Sequence, residues 1–315
     1  MSTSPPRTRS SAALAFLAGL LGVLALAVGG CAADEEDRPS VVVTTNILGD
    51  ITRNVVGDEA DVTVLMRAGA DPHSFGVSAP QAAAMEQADL VVYNGLGLEE
   101  NVLRHVEAAG EAGVSTVAVG DGVDPITYTS GESAGTSDPH FWTDPERVRE
   151  AVDLIADQVT EHVGGVDKAA VAKNASTYGR QVDDLTAWMR DTFDAIPAKR
   201  RQLVTNHHVF GYLAERFGFR VVGAVIPSGT TLASPSASDL KSLSTSIEKA
   251  GVRAIFVDSS QPDRLAQVLK RETDTEVDVV PLFSESLTEK GKGAATYLEM
   301  MRSNTASIAT GLSTR

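Results

Sequence analysis

Apolar residues fall along this chain in two spacings: short β-branched runs of strand length, and longer stretches with an apolar residue every third or fourth position. VVVTT at 41–45, DVTVLM at 61–66, DLVVYN at 89–94 and TVAV at 116–119 are of the first kind, and helical stretches at 47–56, 79–87 and 99–109 separate them. Strand and helix in regular alternation predict a parallel sheet covered on both faces. A second set repeats the style, with QLVTN at 202–206, RVVGAV at 220–225, RAIFVD at 253–258 and VDVVPL at 277–282. Helices are expected near 209–217, 236–250, 262–272 and 294–311. The predicted fold class is α/β in two lobes, each a parallel-sheet α/β sandwich, over 41–166 and 198–315.

Between the lobes lies a segment with no strand signal. Val171, Ala175, Tyr178, Val182, Leu185, Met189 and Phe193 recur at steps of three and four, the stripe of one long helix over 167–197 that Pro197 stops. Such a helix is roughly 45 Å long at 1.5 Å per residue, enough to run from one lobe to the other. One long rigid helix joining the lobes implies a cleft between nearly fixed walls.

The N-terminus has a different pattern. Arg7 and Arg9 precede the uncharged run AALAFLAGLLGVLALAV, which ends in GGC. This predicts a signal peptide over 1–30. VGGC resembles a bacterial lipobox, which would make Cys31, the only cysteine, the lipid-modified first residue of the mature protein, with 31–40 as an acidic tether. The expected location is the extracytoplasmic face of the cell membrane, held by the lipid. A single cysteine excludes an intrachain disulfide. Without residues 1–30 the balance is 25 basic against 42 acidic residues. A chain that acidic is a poor partner for nucleic acid, and a monomer is expected.

Two turns carry the same chemistry. Asp-Pro-His occurs at 71–73 and again at 138–140, in a chain with 6 His and 13 Pro. Proline narrows the backbone and the aspartate can fold back onto nearby amides, so each turn would present its imidazole rigidly. His73, His140, His207 and His208 all lie in loops, His207 and His208 directly after a strand and His73 after one through a Gly-rich turn, where α/β sheets place ligands. His105 and His162 lie on predicted helices. Adjacent side chains of an extended connection point apart, so one of His207 and His208 faces any given site, and geometry does not say which. A carboxylate to complete a histidine site is offered by Asp258 or Glu285. Three imidazoles and one carboxylate suit zinc better than calcium or magnesium.

These motifs, in this order, resemble the zinc/manganese solute-binding lipoproteins of bacterial metal ABC importers, the ZnuA- and TroA-like family. The resemblance rests on TTNILGDITRNVVGDEADVTVLMRAGADPHSF, QADLVVYNGLGLEE, VTNHHVFGYLAERFGF, GVRAIFVD and PLFSESL followed by TYLEMMRSN. It implies two four-stranded lobes with a metal in the cleft between them. It places ligands on His73, His140, His207 and Glu285, leaving Asp258 and His208 as backups. The family's fourth ligand is usually aspartate, whereas Ser284-Glu285-Ser286 carries glutamate, one methylene longer. The implied function is a receptor that captures Zn²⁺ and delivers it to a membrane permease. Manganese or iron receptors of the same family, and a surface adhesin on the same fold, are the alternatives. No HExxH-type spacing is present, and a closed four-ligand shell argues against an enzyme.

Overall fold

The computed structural model describes residues 1–4, 38–129, 131 and 133–313. The predicted signal peptide beyond residue 4, Cys31 and most of the acidic tether therefore lie outside the described residues. Among these residues no helix is long and apolar enough to cross a membrane.

The N-terminal lobe contains β1 (Ser40–Val43), α1 (Asn46–Val56), β2 (Asp61–Val64), α2 (Ala79–Glu86), β3 (Leu90–Tyr93), α3 (Glu100–Glu111), β4 (Ser115–Ala118) and α4 (Pro145–His162). Its parallel sheet has the order β2-β1-β3-β4. Ser40, assigned to the tether by the sequence pattern, already pairs with Asp61 in this sheet. After the long helix α5 (Lys168–Asp194) come β5 (Gln202–Thr205), α6 (Gly211–Phe217), β6 (Arg220–Ala224), α7 (Ala237–Ala250), β7 (Ala254–Asp258), α8 (Arg264–Glu272), β8 (Asp278–Leu282) and α9 (Tyr297–Ser313). The second sheet repeats the first as β6-β5-β7-β8. In both, the chain leaves the first strand in one direction and resumes on its other side. That reversal opens a crevice beyond the carboxyl ends of the central strands.

The helix ends follow from their residues. Thr45 accepts a hydrogen bond from the Leu48 amide at the start of α1, and Gly57 at its end takes φ +61°, which costs glycine little. Asp144 caps α4 just ahead of Pro145, and Asp167 caps α5 by accepting from the amides of Ala169 and Ala170. Asp144 also receives Arg216 Nε on both oxygens at 3.0 Å, which pins α6 to the start of α4.

Period-two alternation divides each central strand between two cores. Val42 and Val91 face α2 and α3, and Val204, Ile255 and Val257 face α7 and α8. The opposite residues, Val41, Val43, Leu90, Val92, Leu203, Ala254 and Phe256, join one continuous core with α1, α4, α5 and α9. All seven stripe residues of α5 are buried in it. The two lobes thus share their inner core, and α5 packs against α1 and α4 on one side and α9 on the other. At its far end Phe193 meets Phe217 and Phe219 edge-on, with ring centres 5.2 and 4.9 Å away.

Phe193→Ala is expected to remove about 3–5 kcal/mol of stability, as for other fully buried aromatic truncations. Urea unfolding of the metal-free protein measures it, and a loss under about 1 kcal/mol would mean that this end of the helix is not anchored in the shared core.

Candidate metal centre

Each Asp-Pro-His turn closes on itself in the same way. Asp71 Oδ1 accepts the amide of His73 at 2.9 Å, and Asp138 Oδ1 accepts the amide of His140 at 2.9 Å. The aspartate thus fixes the backbone two residues on, as an Asx turn does. Asp138 Oδ1 lies in addition 2.7 Å from His140 Nδ1, so that nitrogen donates to the carboxylate and Nε2 is turned to the opposite side, toward the other histidines. Tyr128 Oη sits 3.1 Å from the same Nδ1. Tyr128 belongs to a small turn closed by Thr127 and Ser137, in a stretch that its serines and glycines mark only as irregular. Nothing in the sequence signals this contact.

His207 follows β5, and the Thr205 hydroxyl donates to its carbonyl at 2.5 Å. Glu285 follows β8. Its amide and that of Ser284 both donate to Asp258 Oδ2 at 3.1 Å, and the Ser284 hydroxyl donates to the same oxygen at 2.5 Å. Asp258 Oδ1 accepts the Ser260 amide at 2.7 Å and the Ser260 hydroxyl as well. The Asp258 carboxylate is thereby occupied by backbone and hydroxyl donors, and it shapes the loop that carries Glu285. Trp142, beside His140, donates from Nε1 to the Ser284 carbonyl at 2.9 Å and ties the second histidine loop to the glutamate loop.

These supports aim four side chains at one point. One ligand-type atom from each of His73, His140, His207 and Glu285 lies within 4.8 Å of the other three. Nε2 of His140 is 3.3 Å from that of His73 and 3.4 Å from that of His207. Glu285 Oε1 is 3.1 Å from His207 Nε2 and 3.6 Å from His140 Nε2, and its Oε2 is 3.8 Å from His73 Nε2. All four residues are at most 3% exposed. The structure leaves out both backups: Asp258 stands behind the cluster, and the half-buried His208 turns toward the Tyr128 ring, 6.3 Å away. His105 and His162 lie on α3 and at the end of α4.

The electrostatics are those of a site built for a cation. Neither oxygen of Glu285 has a hydrogen-bond partner, nor does Nδ1 of His207. A buried carboxylate without donors is costly, so burial, reinforced by Asp258, Asp71 and Asp138, pushes the Glu285 carboxyl up to about 8, against the opposing pull of His140. Burial and the neighbouring imidazoles hold His73 down at about 2, and burial holds His207 at about 4. Without an ion, then, these two imidazoles are neutral at pH 7 and Glu285 keeps its proton. Two neutral imidazoles, that of His140 and one exchangeable proton thus meet in a buried centre.

A family model described as "Zinc-uptake complex component A periplasmic" matches residues 41–311. The chain belongs to this family. ZnuA is thus the family name for a substrate-binding component of metal ABC transporters. Among the relatives, the manganese ABC transporter substrate-binding lipoprotein PsaA of Streptococcus pneumoniae is 30% identical over 93% of this chain and 97% of its own. The zinc-binding protein TroA of Treponema pallidum is 28% identical over 93% and 95%. The solved TroA structure superposes with a TM-score of 0.79 at 28% identity, covering 88% of this chain and all of that one. A Mn-bound periplasmic metal binding protein from Candidatus Liberibacter asiaticus gives 0.77 at 26% identity, over 87% and 99%. The two-lobed fold is the one these ZnuA-family structures share, and the family is one of transport receptors.

Removing the Asp258 carboxylate would leave the amides of Ser260, Ser284 and Glu285 without their acceptor. Asp258→Ala is expected to weaken metal affinity about 10–100-fold, the usual scale for groups that hold a ligand in place, while the chain still takes up one ion. Chelator-competition titration decides it; an unchanged affinity would mean that the Glu285 loop does not need this support.

Proposed function

We propose that this protein is the extracytoplasmic receptor of a metal ABC importer and that its cargo is zinc, held by His73, His140, His207 and Glu285 and passed to a membrane permease. The observation that carries this reading is the buried carboxyl of Glu285, without a hydrogen-bond donor and facing three imidazole nitrogens. A cation bonded to all four groups satisfies them at once.

Zinc is favoured over manganese by spacing and by donor type. A tetrahedral zinc bonded at about 2.0–2.1 Å sets its ligand atoms about 3.3–3.4 Å apart. Four of the six edges among the histidine nitrogens and Oε1 are 3.3, 3.4, 3.1 and 3.6 Å, and all ligand atoms lie within 4.8 Å of one another. Manganese prefers six oxygen-rich positions, and this centre offers three nitrogens and one carboxylate in a buried space. Zinc also stands above manganese in intrinsic affinity for such donors. The glutamate departure fits the same geometry: Oε1 supplies the fourth vertex, and the extra methylene is taken up by a loop anchored on Asp258. A shell closed by four protein ligands keeps no open position for a substrate or an activated water, so the centre stores and transfers its ion and does not catalyse. Lipid attachment at Cys31 would keep the receptor beside its permease, acting as a monomer.

The pH dependence has a definite sign. With Glu285 raised to about 8, an incoming zinc displaces its proton below that pH, so affinity rises as pH climbs from 6 toward 8 and then levels. His73 and His207, held near 2 and 4, compete little in that window, which leaves Glu285 as a principal site of proton competition there. The stability of the metal-free protein follows by linkage. The folded state retains the Glu285 proton between about 4.5 and 8, so stability falls as pH rises through that range. Below about 6.5 this trend is outweighed, because the unfolded chain takes up two protons that folded His73 and His207 refuse, and net stability falls toward acid.

Two measurements test the proposal. Competition titration against a chromophoric chelator is expected to give one tight zinc with manganese much weaker, and His207→Ala is expected to lose far more affinity than His208→Ala; tight manganese, or equal losses, would overturn the zinc assignment or the ligand set. Calorimetry at pH 7 in buffers of different ionisation enthalpy is expected to show about one proton released per zinc, and none in Glu285→Gln. Equal release by both proteins would remove Glu285 from the shell.

A further inference from the structure

The two Asp-Pro-His turns hold their histidine amides alike, yet the rest of each carboxylate has a different use. Asp138 spends Oδ1 twice on its own histidine, at the amide and at Nδ1. Asp71 holds the His73 amide with Oδ1 and turns Oδ2 outward, where it accepts Thr231 Oγ1 at 2.6 Å, Gln261 Nε2 at 2.8 Å and Ser74 Oγ at 3.3 Å. Thr231 lies between β6 and α7, and Gln261 between β7 and α8. Both belong to the C-terminal lobe, so two of the three donors cross the cleft.

The Thr231 segment is clipped to the N-terminal lobe a second time. The Gly229 amide donates to Ser133 Oγ at 3.0 Å. Gly229 itself lies so close under Tyr128 that a Cβ there would stand 2.5 Å from the phenol oxygen, the same oxygen that is 3.1 Å from His140 Nδ1. The C-terminal lobe's loop is thus fastened at two points, each one step removed from a histidine of the centre. Because the four centre residues are at most 3% exposed, no ion reaches or leaves them until some part of this covering separates.

We infer that Asp71 is an inter-lobe latch: a positioning residue on the His73 turn that seats the 229–231 and 259–261 segments across the cleft, and whose opening admits and releases the ion. The inference rests on the receptor reading above. Its chemistry is simple. The carboxylate cannot keep its two donors on the other lobe at Oδ2 while the cleft opens, whereas Oδ1 holds the His73 amide whether or not they are engaged.

The test uses the full chain and the double variant Thr231→Val/Gln261→Leu, which leaves Asp71 and every residue of the centre in place. Zinc release into excess chelator and the dependence of zinc loading on zinc concentration are followed by stopped flow, and the absorption spectrum of the Co²⁺ form reports the shell. Loss of two hydrogen bonds to a charged acceptor is expected to speed release by about tenfold or more, to raise the plateau of the loading rate by a similar factor, and to leave the Co²⁺ spectrum unchanged. Thr231→Ser, which keeps the hydroxyl, is expected to behave as wild type. Rates within about twofold of wild type in the double variant would overturn the latch. So would faster release with an unchanged loading plateau, or an altered Co²⁺ spectrum, since either means that the substitutions loosen the ligands without freeing a gate. A wild-type chain that takes up no zinc sinks the receptor reading itself and this inference with it, whereas tight zinc with unmoved rates sinks the latch alone.

Discussion

A buried carboxyl group with no hydrogen-bond donor is the constraint on which this structure turns. Glu285 is 1% exposed and neither of its oxygens is bonded, an arrangement that in a metal-free protein persists only because the group keeps its proton. Around it the chain has placed three imidazoles and, behind them, Asp71, Asp138 and Asp258. The second rank has little room to swing, because its oxygens are engaged with backbone amides, with hydroxyls, with Nδ1 of His140 and with the amide of Gln261. The result is a buried centre whose inward-facing groups lack partners of their own, and a small divalent cation bonded to all of them supplies one.

Holding such a centre requires more than the four residues that face it. The loops of His140 and Glu285 are tied to each other and to the opposite lobe. Trp142 links the His140 turn to Ser284, Asn46 donates to the Ser286 hydroxyl at 2.7 Å and accepts the Leu287 amide at 2.9 Å, and Tyr297 donates its amide to Asp50 and its hydroxyl to the Trp142 carbonyl. Bonds of this kind add geometric precision more than net stability, since each replaces a bond to water in the unfolded chain. Stability comes from the shared inner core, in which α1, α4, α5 and α9 bury one face of both sheets together.

Local features of the sequence carried far. The Asp-Pro-His turns were legible because their logic spans three residues, and the long helix because its stripe needs only itself. The strands were legible from their β-branched runs, buried on both faces in the central strands, to within a few residues at their ends. What depended on contacts between distant positions was not legible. Alternation could say that His207 and His208 point apart and not which of them points inward; the answer lies in where the His140 and Glu285 loops fall across the cleft. Charge could not separate Asp258 from Glu285, because their difference is one of surroundings, five donors against none. Asp71 meets Thr231 and Gln261 across 160 and 190 residues, and Tyr128 reaches His140 from a turn whose composition says only that it is a loop.

The continuous core also limits how the ion can move. Two lobes with separate cores and a flexible linker could swing apart and expose everything between them. Here a wide swing would have to tear apolar surface common to both lobes, along a helix packed on each side, at a cost set by the area exposed to water. Loop segments at the rim are a cheaper place to open: they bury less apolar surface and are fastened by a few polar contacts that water can replace as the segment lifts. A rigid frame with a small movable covering therefore reconciles two demands that pull against each other in a receptor. The ligands must be preorganised well enough to hold an ion in a dry centre, and the ion must still leave on the time scale of a transport cycle. In this fold the frame meets the first demand and the loops, through their few cross-cleft bonds, meet the second.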